Sequence, residues 1–219
     1  MTEAAGRVGN VLIVGAVLAF FFAPQSLVQR WKSERDEARE RAELIHNLWD
    51  SIAGGSVLRS AASSQPARVL VEFGQYRCPY CRTAHDTILA VVEAFPEVQY
   101  EFRHYPSAGD TLSQLAARAS LCADSLGYFT EMHEHLLRLE TWHDGLDWAL
   151  AATRAGVPDA RRLKECMDRP EVLDRLRKDM RIGALLGLDG TPAFVWYDGL
   201  RVGIGDLIGV VRSAASPAR

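Results

Sequence analysis

Cys78-Pro79-Tyr80-Cys81 is the feature that most limits what this 219-residue chain can fold into. It follows directly on Arg68 to Phe73 (RVLVEF), a short β-rich run that reads as a strand. It leads into a helical pattern through Ile88, Leu89, Val92 and Phe95 that Pro96 stops. At such a junction, free backbone N–H groups and the positive end of the helix dipole favour an anion. A thiolate at Cys78 gains from both, so its pKa falls and it becomes a good leaving group in disulfide exchange. Pro79 suits the first helical turn because it has no N–H to lose. Cys81, one turn on, reads as the more buried, resolving partner. A C-x-x-C also serves as half of a zinc site, which needs a second pair at suitable spacing. Cys122 and Cys166 are isolated from each other, and His104, His133 and His135 form no recognised set with them. No metal is expected.

The rest of the chain supplies an α/β frame. Val98 to Phe102 (VQYEF) reads as a second strand, and Thr111 to Leu188 is helical almost throughout, broken near Gly127, Gly145 and Gly156. Ala193 to Tyr197 (AFVWY) is an apolar strand, Asp198-Gly199 a hairpin signal, Leu200 to Ile204 its partner, and Gly205 to Arg212 a short final helix. The order is β-α-β, a long helical block, then β-β-α. Upstream, Ser33 to Ile52 is rich in helix formers with opposite charges three and four apart, and Leu44, Ile45, Leu48, Trp49 and Ile52 make an apolar stripe in its second half. That is a solvated stalk helix ended by Gly54-Gly55, and Ser60 to Pro66 reads as a linker. A net charge of −3 with no basic stripe gives nucleic-acid binding no support.

Val8 to Ala23 is an apolar run of sixteen residues ending at Pro24. As a helix it reaches roughly 24 Å, and Gln25 to Val28 with an interfacial Trp31 extend it toward the thickness of a bilayer. A cleaved signal peptide is the rival, but a cut after Ala23 puts Phe21 where a small residue is wanted. An uncleaved transmembrane anchor over 1–30 is therefore expected, then a stalk and linker over 31–60, then one domain over 61–219 with a helical insertion at about 111–188. Arg30, Lys32, Arg35, Arg39 and Arg41 follow the run and only Arg7 precedes it, a bias that places the body in the cytoplasm. Disulfide chemistry points outward instead, and the extracytoplasmic orientation is favoured on that ground.

The segment Val71-Glu72-Phe73-Gly74-Gln75-Tyr76-Arg77-Cys78-Pro79-Tyr80-Cys81-Arg82 resembles the active-site segment of DsbA-like thiol–disulfide oxidoreductases, particularly the membrane-anchored bacterial branch. The likeness continues through Phe102-Arg103-His104-Tyr105-Pro106, Ser113 to Ala123 and Phe129 to His133, and closes at Gly190-Thr191-Pro192-Ala193-Phe194. It implies a thioredoxin fold with an inserted helical domain. It implies that Cys78 and Cys81 are catalytic, and that Pro192 is a cis-proline presenting the Thr191 backbone to an extended substrate beside Pro79 and Tyr80. It makes Glu72 a buried acid under the site, able to relay a proton to the deeper thiol; a strand residue facing solvent is the plainer alternative. It also implies a structural disulfide between Cys122 and Cys166, closing a loop of about 45 residues for on the order of 4 kcal/mol. Two unconnected buried thiols are the other reading, and such a bond persists only in an oxidising compartment. His85 reads as a surface or rim histidine; Tyr76 and Tyr80 either line a substrate groove or simply pack.

The expected activity is extracytoplasmic thiol–disulfide exchange with unfolded or partly folded cysteine-containing proteins, needing no cofactor beyond the Cys78–Cys81 pair. A membrane redox partner is expected to recycle that pair. Donation of disulfides is favoured, although Pro-Tyr lacks the imidazole that helps the family's strong oxidant and also occurs in reducing glutaredoxins. A reductase or isomerase of the same fold, and a non-catalytic tether that grips peptides, are the alternatives.

Overall fold

The computed structural model describes residues 25–62, 68–139, 141 and 146–216. The anchor expected over 1–30 lies outside the described residues except for 25–30, as does most of the expected linker. Among the described residues no helix is long and apolar enough to cross a membrane.

The chain divides after Arg41 into two units. In the first, residues 27–41 are the exposed early turns of helix α1 (Gln25–Ile52). They carry an Arg30–Glu34 pair at 3.2 Å, and the Arg35 guanidinium lies 4.7 Å from the centroid of the Trp31 ring.

The second unit, Ala42–Arg219, holds the end of α1 and everything after it. Strands β1 (Ser56–Arg59) and β2 (Arg68–Gly74) come first, then α2 (Pro79–Glu93) and β3 (Val98–His104). A block of five helices follows: α3 (Thr111–Ser125), α4 (Phe129–Leu137), α5 (Trp148–Arg154), α6 (Ala160–Cys166) and α7 (Pro170–Leu185). The hairpin β4 (Ala193–Trp196) and β5 (Gly199–Val202) and helix α8 (Leu207–Ala215) complete the unit. Asp110, Asp147, Asp159 and Asp206 each accept a backbone N–H at the start of α3, α5, α6 and α8, the local signal that begins those helices.

The five strands run in the order β1-β3-β2-β4-β5, with β2 and β3 parallel and the other pairs antiparallel. Central β2 is buried on both faces, which is why RVLVEF is apolar without alternating. Leu70 joins Ile88, Val92, Tyr100 and Phe194 in the core under α2 and α8. Val71 and Phe73 turn the other way, to Ile45, Ile52, Ile182 and Leu186. A third core fills the helical block and reaches Tyr76, Cys78 and Cys81.

Two local readings are corrected. Ser56–Arg59 is an edge strand that the sequence did not announce, pairing Ser56 with Phe102 and Val57 with Glu101 and then, after a register shift, Arg59 with Tyr100. Four residues ending in Arg carry too little alternation to stand out. The stretch 31–60 thus contributes a strand and two fully buried isoleucines, Ile45 and Ile52, besides the solvated helix. The β4–β5 turn is Tyr197-Asp198, not Asp198-Gly199: Gly199 already pairs with Trp196, and a Cβ there would enter the indole ring.

Candidate active site

Strand β2 ends at Gly74 and α2 begins at Pro79, so four residues set the reactive pair. The Cys78 N–H donates to the Gln75 carbonyl at 3.2 Å, closing a turn around Tyr76 and Arg77. Cys78 is the N-cap of α2, with φ −70° and ψ 120°, and its Sγ accepts the Cys81 N–H at 3.4 Å. On its other side the thiol donates to the Thr191 carbonyl at 3.2 Å, and the Thr191–Pro192 peptide bond is cis. The two thiols are unbonded, Cys78 8% exposed and Cys81 1%.

This placement splits the pair electrostatically. The Cys81 thiol, as hydrogen-bond donor, does most to lower Cys78, to about 5; burial opposes it, and the Thr191 side chain and the N–H groups of Cys81 and Tyr80 add to it. The same bond, then burial, then the Glu72 carboxylate push Cys81 far up. The first sulfur is thus set to ionise far more readily than the second.

Glu72 lies on the face of β2 turned toward α2, two residues along from Leu70. It is buried, and Tyr100 donates its hydroxyl to the carboxyl. Burial raises its pKa to about 7, with the Tyr100 bond opposing and the Cys78 charge adding. Gly74 makes room for it: a Cβ there would sit 2.7 Å from the Phe102 ring and 3.0 Å from Glu72 Oε1. Tyr80 is 60% exposed and Pro79 also faces solvent, while Thr191 is half-buried and Pro192 buried. Beside Thr191 runs a groove of about 390 Å³ whose lining includes Gln75, Tyr105, Met180 and Leu188. In the helical block, Cys122 and Cys166 are joined by a disulfide, Cα atoms 5.8 Å apart.

The thioredoxin family model matches residues 61–199, more than half of the chain. The chain belongs to the thioredoxin family. The crystal structure of a thioredoxin-like oxidoreductase from Silicibacter pomeroyi is similar, at 33% identity, with 68% of this chain and 87% of that one covered and a TM-score of 0.61. The thiol-disulfide exchange protein alpha-DsbA2 of Wolbachia pipientis shares the fold, at 20% identity, 82% and 96% coverage and a TM-score of 0.71. A curated relative, the Na(+)/H(+) antiporter NhaA 1 of Salinispora arenicola, is 30% identical over 126 residues, 57% of this chain. The match spans only 19% of that antiporter.

Around the thioredoxin-family site the structure gathers residues that the sequence left unassigned. Tyr76 does not line a groove: it is fully buried. Its hydroxyl lies 2.6 Å from Ser120 Oγ, 3.1 Å from His133 Nδ1 and 3.2 Å from His104 Nε2. His85 is no rim residue: it is 3% exposed and bonds Glu134 Oε1 at 2.7 Å. On the opposite face of β3, Arg103 donates to the carbonyls of Ser51, Ile52 and Ala53 and to Asp179, and Glu101 accepts the N–H groups of Gly54 and Gly55. The available signal was the alternation in Val98–His104, where the polar residues Gln99, Glu101 and Arg103 occupy every second position of a strand too central to face water.

Proposed function

We propose that this protein is a protein thiol–disulfide oxidoreductase that donates disulfides to cysteine-containing proteins outside the cytoplasm. The observation that carries this reading is the asymmetry of the pair: Cys78 lowered to about 5 at the helix N-terminus, Cys81 buried behind it and raised. A substrate thiolate attacks Cys78 Sγ of the oxidised pair, the Cys78–Cys81 bond breaks, and Cys81 leaves and takes a proton. Glu72, held near neutral pKa and electrostatically coupled to Cys81, suits the role of proton source. The substrate's second thiolate then attacks the mixed disulfide and Cys78 departs as the stable thiolate. Two electrons pass from substrate to enzyme, and no cofactor takes part.

Lowering one thiol stabilises the dithiol form and makes the disulfide more oxidising. At pH 7 a pKa near 5 in place of about 9 favours the reduced form by about 2.7 kcal/mol, or roughly 60 mV. The Cys122–Cys166 bond supports an oxidising compartment. The apolar run Val8 to Ala23 supports a membrane anchor, and a membrane redox partner would reoxidise the pair. Unfolded or partly folded chains are the proposed substrates, gripped by backbone at Thr191 and by the groove beside it.

Equilibration of the full-length protein in glutathione buffers tests the direction. A potential near about −120 mV marks a disulfide donor, and one near about −270 mV marks a reductase. No reversible couple would leave only a peptide-binding tether.

A further inference from the structure

We propose that Tyr76 is a positioning residue for the reactive pair, through which the helical block sets the geometry, and hence the acidity, of Cys78. The inference rests on the exchange reading above and adds a residue to it.

Tyr76 sits inside the turn that the Cys78 N–H closes onto the Gln75 carbonyl, so whatever fixes its side chain fixes the turn that presents the Cys78 sulfur. Its hydroxyl offers one proton and two lone pairs, and three neighbours use all of them: Ser120, His133 and His104. They come from three different elements, α3, α4 and β3. Burial lowers the pKa of both histidines and so favours the neutral ring, which offers one donor and one acceptor nitrogen. The ring is held as well, stacked on Phe102 at 5.8 Å and against His133 at 5.4 Å.

Helix α4 grips the other side of the site at the next residue. Glu134 accepts from His85, which lies one turn beyond Cys81 on α2, and Arg138 forms an ion pair with the same carboxylate at 2.5 Å. Adjacent residues of α4 thus hold the catalytic turn through Tyr76 and the catalytic helix through His85. The N–H groups that stabilise the Cys78 sulfur, those of Tyr80 and Cys81, belong to the helix, while the turn presents the sulfur to them, so they work only while the two keep their relative setting.

Tyr76→Phe keeps the ring and removes the hydroxyl. In the full-length protein the pH profile of Cys78 alkylation and the equilibrium constant with glutathione are read together. The expected result is a thiolate fraction at pH 6 reduced by about threefold or more, and an equilibrium constant shifted toward a less oxidising disulfide. Ser120→Ala removes one partner and should move both readings the same way by less, which keeps the test decisive should Tyr76→Phe fold poorly. Ile45→Ala, in the core on the other face of the sheet, is the control for lost stability alone, and it should leave both readings in place. Unchanged alkylation and equilibrium constants in both hydroxyl variants, with stability lost, would overturn the positioning role and leave the exchange reading intact. A wild-type protein with no reversible couple would overturn both.

Discussion

A thiol's acidity is here largely the work of one neighbour, and a carboxyl's reluctance to ionise the work of burial. The largest influence on Cys78 is the Cys81 thiol, with backbone N–H groups behind it. Cys81→Ala should therefore raise the pKa of Cys78 above about 5 without restoring that of a free thiol, because the N-cap geometry survives. Iodoacetamide alkylation against pH reads this directly; an unchanged midpoint would assign the effect to the helix end alone. Glu72 makes the opposite case. Its folded pKa of about 7 stands above the ordinary 4.5, so its contribution is intact below pH 4.5 and is lost as the pH rises through 7. Glu72→Gln should gain about 2–3 kcal/mol over wild type at pH 8 and little at pH 5. Urea denaturation at the two pH values checks it, and an equal gain at both would mean that the carboxyl does not titrate in the fold.

At the scale of elements, the polar faces of strands do as much as the apolar ones. Glu101 and Arg103 lie on one side of β3 and bind the end of α1, the first by its N–H donors beyond the helix, the second by its last carbonyls. Asp179 on α7 completes the set by pairing with Arg103 and accepting the His104 N–H at 3.1 Å. Burial alone would raise Asp179, but the His104 bonds and the Arg103 charge outweigh it and hold the carboxylate down. Arg103→Met should cost on the order of 3–5 kcal/mol, because it strands a buried carboxylate and three carbonyls. Chemical denaturation measures it; a loss below about 1 kcal/mol would show that water replaces the guanidinium. The helical block has a covalent tie of its own, Cys122–Cys166, whose 44-residue separation gives on the order of 4 kcal/mol by loop closure.

Across the whole molecule, redox state and folding are linked through one proton. The depressed Cys78 pKa stabilises the dithiol form fully above the unfolded value near 9, and this is lost as the pH falls through about 5. The stability difference between reduced and oxidised protein should thus grow in favour of the reduced form by about 1.4 kcal/mol per pH unit between those limits. Paired denaturation of the two forms at pH 5, 6 and 7 tests it, and a flat difference would refute a thiolate at neutral pH. The strand–C-x-x-C–helix junction, the β-α-β and β-β-α halves and the helical block between them were legible in the sequence. Each is a local pattern: apolar spacing, a helix start, a breaker. The edge strand β1 was not legible, because four residues gain their meaning only from pairing with β3, more than forty positions on. The fates of Glu72, Tyr76, His85 and Arg103 were not legible either. A polar side chain on a strand or helix is buried or exposed according to what packs over it, and those partners lie 28 to 76 residues away. The sequence by itself determined which sulfurs stand in the C-x-x-C and which elements carry them. Only the tertiary structure decided how acidic they are, since acidity is set by the burial and hydrogen bonds that distant segments bring together.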